Sequence, residues 1–236
     1  MEIKGILFDK DGTLFDYYRT WMPLNHLAAK LVARGDEDVA RNLLIIGGWH
    51  PETNTVGAGS LLAAHTNREI AETWAGHVGG WDMDILTDAL NDLFNKGGRE
   101  TATAVTDLPV FLQGLRDMKL SLGVATSDSD ASANAMLQQF GASELLDFIA
   151  GFDSGHGSKP EPGMVHAFCA VTGLTLAEVI MVGDNRHDME MGRNAGVAFC
   201  VGVLTGTSNR AELEQEAEYV LDDVTGLPGL LERIQG

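Results

Sequence analysis

The sequence predicts an α/β protein: a doubly wound (Rossmann-like), mainly parallel sheet core with an inserted α-helical domain. Two observations support this fold class. Short apolar runs, of the kind that form strands buried on both faces, alternate with amphipathic helical patterns over most of the chain. The block 16–100 interrupts this alternation, because it contains several helical patterns and no convincing strand.

The predicted strands are short and widely separated along the chain. Their apolar runs cover residues 3–8, 120–125, 179–182, 198–201 and 219–221. Between them, Pro109 suits the first turn of one predicted helix. Gly173 and Gly196 stand where two others end, a common place for glycine. This order of elements predicts parallel strands connected by helices.

The block 16–100 is predicted to be a separate helical domain. Apolar residues follow helical spacing over 24–32, before Gly35, and over 86–94, before Gly97 and Gly98. A simple crossover between two parallel strands needs far fewer residues than this block provides. We therefore assign residues 1–15 and 101–236 to the α/β core and residues 16–100 to the inserted domain.

Composition narrows the class of partner. The 236 residues carry a formal net charge of −18, which argues against binding to nucleic acid or to an anionic membrane surface. The two cysteines, Cys169 and Cys200, fit neither a disulfide framework nor a metal-ligand spacing. No signal-peptide layout and no bilayer-spanning apolar stretch is present. We expect a cytoplasmic protein, monomeric or homodimeric, that acts on a small molecule.

The first predicted strand ends in two aspartates. The stretch "ILFDKDGTL" places Asp9 and Asp11 one residue apart, directly after a buried run. Two like charges about 4 Å apart cost about 4 kcal/mol near a protein surface. If the chain stays extended, both side chains point the same way. A cation is therefore expected beside them.

Further polar residues follow the other predicted strands. Because ligands bind beyond the carboxyl ends of parallel strands, these residues are expected to share one edge of the sheet. They are Thr126 and Ser127 in "VATS", Lys159 in "SKPEPG", and Asp184 and Asp188 in "VGDNRHDM".

Each of these pieces also has an ordinary structural explanation. Asp11 and Gly12 could form a hairpin turn, and Asp184 could cap a helix. Asp188 could be a solvated acid in a first helical turn, and Lys159 an ordinary surface lysine. Four such coincidences, in order and each after an apolar strand, are far less probable than a single site.

The four ordered motifs resemble those of the haloacid dehalogenase-like hydrolase superfamily. They are "DKDGTLFD", "VATS", "SKPEPG" and "VGDNRHDMEMGRNAG", and they span residues 9 to about 196. The similarity is greatest to phosphatases of the phosphoglycolate phosphatase type. In that group a cap domain is inserted between the first and second motifs, where the helical block of this sequence falls.

The resemblance implies a role for each motif residue. Asp9 is the expected nucleophile and forms an aspartyl phosphate, while Asp11 is the expected general acid and base. Mg²⁺ is the expected cofactor, held by Asp9, Asp184 and the backbone carbonyl of Asp11 and supported or ligated by Asp188. Thr126, Ser127, Gly12 and Lys159 are the residues expected to hold the phosphoryl group.

The sequence therefore predicts a Mg²⁺-dependent phosphatase for a small phosphorylated metabolite, with phosphoglycolate as the first candidate. Three alternatives stay open: a sugar-phosphate mutase, a phosphonate hydrolase using Lys30 of the cap, and a low-turnover phosphate-sensing or partner-binding protein. Asp11 argues against a dehalogenase, because a halide leaving group needs no proton. The histidines and tryptophans of the cap are interpreted as packing residues rather than substrate ligands.

Overall fold

A computed structural model describes residues 2–235. The chain divides into two compact units. The first contains the residues up to Tyr17 and from Thr103 onward, and the second is Tyr18–Ala102. Among the described residues, no helix combines the length and the apolar character that crossing a membrane requires.

The first unit is built on a six-stranded sheet with the order β5-β4-β1-β6-β7-β8, and every neighbouring pair is parallel. This confirms the predicted doubly wound α/β fold. Its strands are β1 (Gly5–Phe8), β4 (Ser121–Ala125), β5 (Phe148–Ala150), β6 (Val179–Gly183), β7 (Phe199–Val203) and β8 (Tyr219–Leu221).

The strand register aligns the ends of three strands. Phe8, the last residue of β1, lies opposite Val124 of β4 and Val182 of β6. Along the chain, β4 and β5 are added on one side of β1, and β6, β7 and β8 are then added on its other side. Such a reversal of strand order makes a switch point, where loops diverge and leave room for a ligand.

Helices cover the sheet on both faces. They are α6 (Leu108–Asp117), α7 (Asp130–Gln139), α8 (Gly163–Thr172), α9 (Arg186–Ala195), α10 (Arg210–Leu213) and α11 (Leu227–Gln235), with short 3₁₀ turns at Ser143–Leu145, Leu176–Glu178 and Val224–Gly226. Phe168 of α8 and Met189 of α9 are fully buried in one cluster with Leu7 and Met181 of the sheet. As predicted, α8 and α9 end at left-handed glycines, Gly173 and Gly196.

The second unit is mainly helical. Its elements are α1 (Tyr17–Val32, whose first residue belongs to the first unit), α2 (Glu37–Ile46), β2 (Trp49–His50), β3 (Thr55–Val56), α3 (Leu61–Ala64), α4 (Asn67–Val78) and α5 (Met83–Thr101). Side chains of Asp36, Thr66 and Asp82 accept hydrogen bonds from backbone N–H groups at the starts of α2, α4 and α5. These caps satisfy donors that a helix start leaves unpaired.

The prediction that block 16–100 contains no strand was wrong. An antiparallel hairpin pairs Trp49 with Val56 and His50 with Thr55. Asn54 takes the left-handed conformation in its turn, and the Trp49 indole N–H donates to the Asn54 side-chain oxygen at 3.0 Å. Strands of two residues are too short to produce a recognisable alternation of apolar and polar residues.

The expectation that Gly97 and Gly98 end a helix was also wrong, because α5 continues through both to Thr101. A Cβ atom at Gly97 would lie 2.3 Å from a methyl group of Leu24, and one at Gly98 would lie 3.0 Å from the Trp21 ring. The glycines therefore allow α1 to pack closely against α5. Strand β5, three residues at the sheet edge, was not predicted.

Candidate active site

The loop after β1 begins at Asp9 and coils back at once. The Asp9 N–H donates to the Val182 carbonyl at 2.8 Å, which continues the pairing of β1 with β6. The N–H groups of Leu14 and Phe15 then both donate to the Lys10 carbonyl, at 2.9 and 3.0 Å. The chain therefore bends at Lys10 and turns back after it, and the two carboxyl groups bind different lysines.

Lys159 binds the first of these carboxylates. Its ammonium group donates to Asp9 Oδ1 and, at 2.6 Å, to Asp188 Oδ1. The side chains of Lys159, Asp9 and Asp188 are 2%, 7% and 0% exposed. Burial disfavours the ammonium form of Lys159, but the charges of Asp188 and Asp9 outweigh it and raise the pKa of Lys159 above its ordinary value.

Three buried carboxylates meet at this point. Asp9, Asp184 and Asp188 each bring one oxygen within 4.8 Å of the others. The second oxygen of Asp9, Oδ2, is buried and has no hydrogen-bond partner within the described part of the chain. Burial raises the pKa of Asp9 to about 6 although Lys159 opposes the shift, and burial with the nearby Asp188 charge raises that of Asp184.

Asp184 is held in a close-fitting position at the end of β6. Its Oδ2 atom accepts a hydrogen bond from the Thr207 backbone N–H at 2.8 Å. A Cβ atom at Gly12 would lie 2.6 Å from the carboxyl carbon, and one at Gly206 would lie 1.8 Å from Oδ2. Only glycine fits at positions 12 and 206 while the carboxylate keeps this place.

Asp188 faces the site from the first turn of α9. Its Oδ2 atom accepts from the Asn185 backbone N–H at 3.2 Å, and the Asn185 side chain accepts from the His187 N–H at 2.8 Å. The helix cap is therefore Asn185 rather than Asp184, and the Asn185 side-chain amide also donates to Asp184 Oδ1 at 3.3 Å. Asp188 is fully buried, so the alternative of a solvated surface acid does not apply.

The loop after β4 carries the other predicted phosphate-binding residues. Thr126 is buried, and its hydroxyl oxygen accepts from the Asp128 backbone N–H at 3.1 Å. The Thr126 N–H donates to Ala150 of β5 at 2.9 Å, which fixes the strand end. Ser127 is exposed.

Sequence reasoning missed two contributors, Lys10 and Thr207. The Lys10 side chain is 0% exposed, and its ammonium group lies 2.7 Å from Asp11 Oδ2 and 3.1 Å from Asp128 Oδ2. A signal for Lys10 was present, since a lysine between two aspartates follows directly on an apolar strand. No such signal marks Thr207, because only the fold brings it to Asp184.

The acidic cluster suits a hard divalent cation. Its donors are all carboxylate oxygens, which Mg²⁺ and Ca²⁺ prefer. The unpartnered Asp9 Oδ2 gives a specific reason, since a buried acceptor without a partner is costly unless a ligand satisfies it. In the described chain a single ammonium group, that of Lys159, contacts this cluster, and it binds Asp9 and Asp188 but not Asp184, which leaves net negative charge for a cation to offset.

Comparison with known proteins gives the family. Residues 61–202, more than half of the chain, match the sequence profile of the haloacid dehalogenase-like hydrolases. The chain belongs to this family. Within it, the chain is a phosphoric monoester hydrolase of the phosphoglycolate phosphatase-like type, as predicted.

Individual relatives agree with this class. The chain is 29% identical over 169 residues to the validoxylamine A 7′-phosphate phosphatase of Streptomyces hygroscopicus, covering 70% of this chain and 78% of the relative. It is 26% identical to a phosphoglycolate phosphatase of Pseudomonas putida, covering 98% and 81%. The fold matches the crystal structure of a predicted phosphoglycolate phosphatase from Haemophilus somnus with a TM-score of 0.75, at 18% identity over 98% of each chain.

Proposed function

We propose that this chain hydrolyses a small phosphomonoester through an aspartyl phosphate formed on Asp9, with Mg²⁺ as its cofactor. The observation that supports this proposal most strongly is the state of Asp9, a buried carboxylate. Lys159 binds one of its oxygens, and the other has no hydrogen-bond partner among the described residues. Phosphate monoesters hydrolyse extremely slowly in water, so a positioned nucleophile with charge compensation is well suited to them.

The first step transfers the phosphoryl group to the enzyme. A carboxylate oxygen of Asp9 attacks phosphorus, the new bond to Asp9 forms, and the bond to the ester oxygen breaks. Asp11 gives its proton to the departing alcohol oxygen, which then leaves as a neutral hydroxyl. Asp11 lies two residues from Asp9 on the coiled loop, so both groups act from one rigid segment.

The second step releases phosphate. Asp11, now a carboxylate, takes a proton from the attacking water, whose oxygen bonds to phosphorus. The bond between phosphorus and Asp9 breaks, and both aspartates return to their starting states. Thr126, Ser127, Gly12 and Lys159 hold the phosphoryl oxygens in this proposal.

The cation would be held by Asp9, Asp184 and the backbone carbonyl of Asp11, with Asp188 as ligand or support. When bound, it supplies positive charge that offsets the repulsion between the carboxylates and the phosphoryl oxygens. The Thr207 N–H and the two glycines beside Asp184 keep that carboxylate in place for this task.

Phosphoglycolate is the substrate we propose to test first, because a relative that matches 98% of this chain is named as a phosphoglycolate phosphatase. The helical unit would supply substrate discrimination, since the motif residues address only the phosphoryl group that all phosphomonoesters share. A second compound to test is validoxylamine A 7′-phosphate, because another relative is named as a phosphatase of that compound.

The test is a panel of phosphorylated metabolites assayed for release of inorganic phosphate with Mg²⁺, with Ca²⁺ and with EDTA. We expect turnover with Mg²⁺, none in EDTA, and poor recovery with Ca²⁺, whose larger and looser ligand shell disturbs in-line geometry. Full activity in EDTA would refute the cofactor. Isomerised sugar phosphate without phosphate release would instead indicate a mutase.

A further inference from the structure

A fully buried lysine lies between the two aspartates of the first motif. The Lys10 side chain is 0% exposed, and its ammonium group contacts Asp11 Oδ2 at 2.7 Å and Asp128 Oδ2 at 3.1 Å. Removing an ammonium group from water costs several kcal/mol, which only well-placed partners offset. Here the charges of Asp11 and Asp128 offset this cost. They raise the pKa of Lys10, although burial alone would lower it.

These contacts connect two loops of the site. Asp11 belongs to the loop after β1, and Asp128 to the loop after β4. The Asp128 N–H donates to the hydroxyl oxygen of Thr126 at 3.1 Å. Lys10 therefore joins the predicted proton donor to the segment that carries a predicted phosphate ligand.

We propose that Lys10 is a positioning residue for proton transfer, an inference that rests on the proposed phosphatase activity. By holding Oδ2, Lys10 fixes the rotation of the Asp11 carboxyl group, so that one defined oxygen faces the departing alcohol. By also holding Asp128, it keeps that oxygen in register with the phosphoryl group bound near Thr126. General acid catalysis depends steeply on such placement.

A purely structural role for Lys10 predicts a different behaviour. If Lys10 only offset buried charge, its loss would lower activity by the same factor for every substrate. If it positions Asp11, its loss matters most where the leaving group needs a proton. An alkyl alcohol needs one, whereas p-nitrophenolate leaves readily without it.

The experiment measures kcat/KM for an alkyl phosphate and for p-nitrophenyl phosphate in Lys10→Met, a substitution that keeps much of the side-chain length. We expect the ratio of the two values to fall by about tenfold or more, a part of the 10²–10⁴-fold that general acid catalysis provides. An unchanged ratio overturns the proposal, whatever the absolute loss.

Two further variants sharpen the result. In Lys10→Met combined with Asp11→Asn, the ratio should be that of Asp11→Asn alone, because both changes affect one interaction. If the double variant instead shows the product of the two single-variant effects on the ratio, the proposal is overturned. Lys4→Met is the matched control: Lys4 is a partly exposed lysine paired with Glu178, just before β1, and its loss should leave the ratio unchanged.

If Lys10→Met does not fold, Asp128→Asn answers the same question. This change keeps the backbone N–H that binds Thr126 but weakens the ion pair with Lys10. We again expect kcat/KM to fall more for the alkyl phosphate than for p-nitrophenyl phosphate. An unchanged ratio of the two values rejects the proposal. Wild-type protein inactive on both substrates would instead overturn the proposed function, and this inference with it.

Discussion

At the scale of single residues, two buried lysines allow five carboxyl groups to share one edge of the sheet. Lys159 binds Asp9 and Asp188, and Lys10 binds Asp11 and Asp128, while Asp184 is held by a backbone N–H. Without partners, each like-charge pair at about 4 Å would cost about 4 kcal/mol near a protein surface. The arrangement keeps Asp9, the proposed nucleophile, and Asp11, the proposed proton donor, in separate ion pairs.

The two aspartates of the first motif should respond differently to removal of their charge. Asp9→Asn should abolish turnover of every phosphomonoester, because the amide is a poor nucleophile. Asp11→Asn should lower kcat/KM by about 10²–10⁴ for alkyl phosphates and far less for p-nitrophenyl phosphate. Steady-state kinetics on both substrate types tests this, and near-normal rates in Asp9→Asn would exclude Asp9 as the nucleophile.

Gly206 offers a test of the position of Asp184. In Gly206→Ala the new methyl group would stand 1.8 Å from Asp184 Oδ2 and displace the carboxylate. We expect a loss of Mg²⁺-dependent activity and a destabilisation of about 1–3 kcal/mol, as overpacking costs. Urea unfolding and phosphate release measure the two effects.

The matched control is Gly114→Ala in α6, where, among the described residues, no atom beyond the neighbouring residues and the backbone of that helix lies within 4 Å of the added methyl group. This helix should gain about 0.5–1 kcal/mol, and activity should stay unchanged. Equal behaviour of the two variants would mean that the space around Asp184 does not matter.

The motif residues could be predicted at this scale, but their environment could not. Asp9, Asp184 and Asp188 were identified because each follows an apolar strand, and the fold brings them together. Thr207 follows β7 and has no special neighbour in the sequence. Its contact with Asp184 depends on the order in which strands pair, which local sequence does not reveal.

At the scale of elements, the starts of β1 and β6 are held by a surface ion pair. Lys4 donates to Glu178 Oε1 at 2.7 Å, and the Thr175 N–H and hydroxyl also donate to Glu178. The hydrogen bonds from Lys4 and Thr175 lower the pKa of Glu178 to about 2. A carboxyl group with a depressed pKa stabilises the fold above its unfolded pKa, and this stability is lost as the pH falls toward 2.

Glu178→Gln should therefore lower the Tm at pH 7, and the difference from wild type should shrink as the pH falls from about 4.5 toward 2. Thermal unfolding followed by circular dichroism across this range measures it. Glu232→Gln, an exposed glutamate of α11, serves as the control with little expected effect. A difference that stays constant with pH would show that ionisation of Glu178 contributes nothing.

The hairpin of the helical unit is the element that we expect to influence substrate choice. Changes in the loop around His50–Ser60, such as His50→Ala and Glu52→Ala, should alter the ranking of natural substrates by kcat/KM. Activity on p-nitrophenyl phosphate should change far less, because that reporter depends little on specific recognition. Glu72→Ala, at an exposed site of α4, is the control. Uniform losses on all substrates would mean that the hairpin is only structural.

The sequence predicts whether a segment is a helix or a strand where the segment is long enough for its spacing of apolar residues to repeat. The strands that carry the site and the helices with several apolar turns were identified, apart from end residues. Strands β2 and β3, with two residues each, were missed because so short a segment shows no period, and the three-residue β5 was missed as well. The end of α5 was predicted wrongly at Gly97 and Gly98. These glycines have a low helix propensity, but their close packing against α1, a tertiary effect, outweighs it.

At the scale of the whole molecule, a net charge of −18 surrounds a site that would bind an anionic substrate. In the proposed function attraction is therefore local, and Lys159 together with a cation held by the acidic cluster would provide it. Such short-range attraction suits a small phosphorylated substrate better than long-range steering would.

The central claim, an aspartyl phosphate on Asp9, has one direct test. Asp11→Asn, in which breakdown of the intermediate is slowed, is mixed with p-nitrophenyl phosphate and Mg²⁺, quenched in acid and digested for peptide mass spectrometry. We predict the added mass of one phosphoryl group on Asp9, lost on brief treatment with base and absent in Asp9→Asn. Turnover with no phosphorylated peptide, or with the phosphoryl group on another residue, would contradict the account.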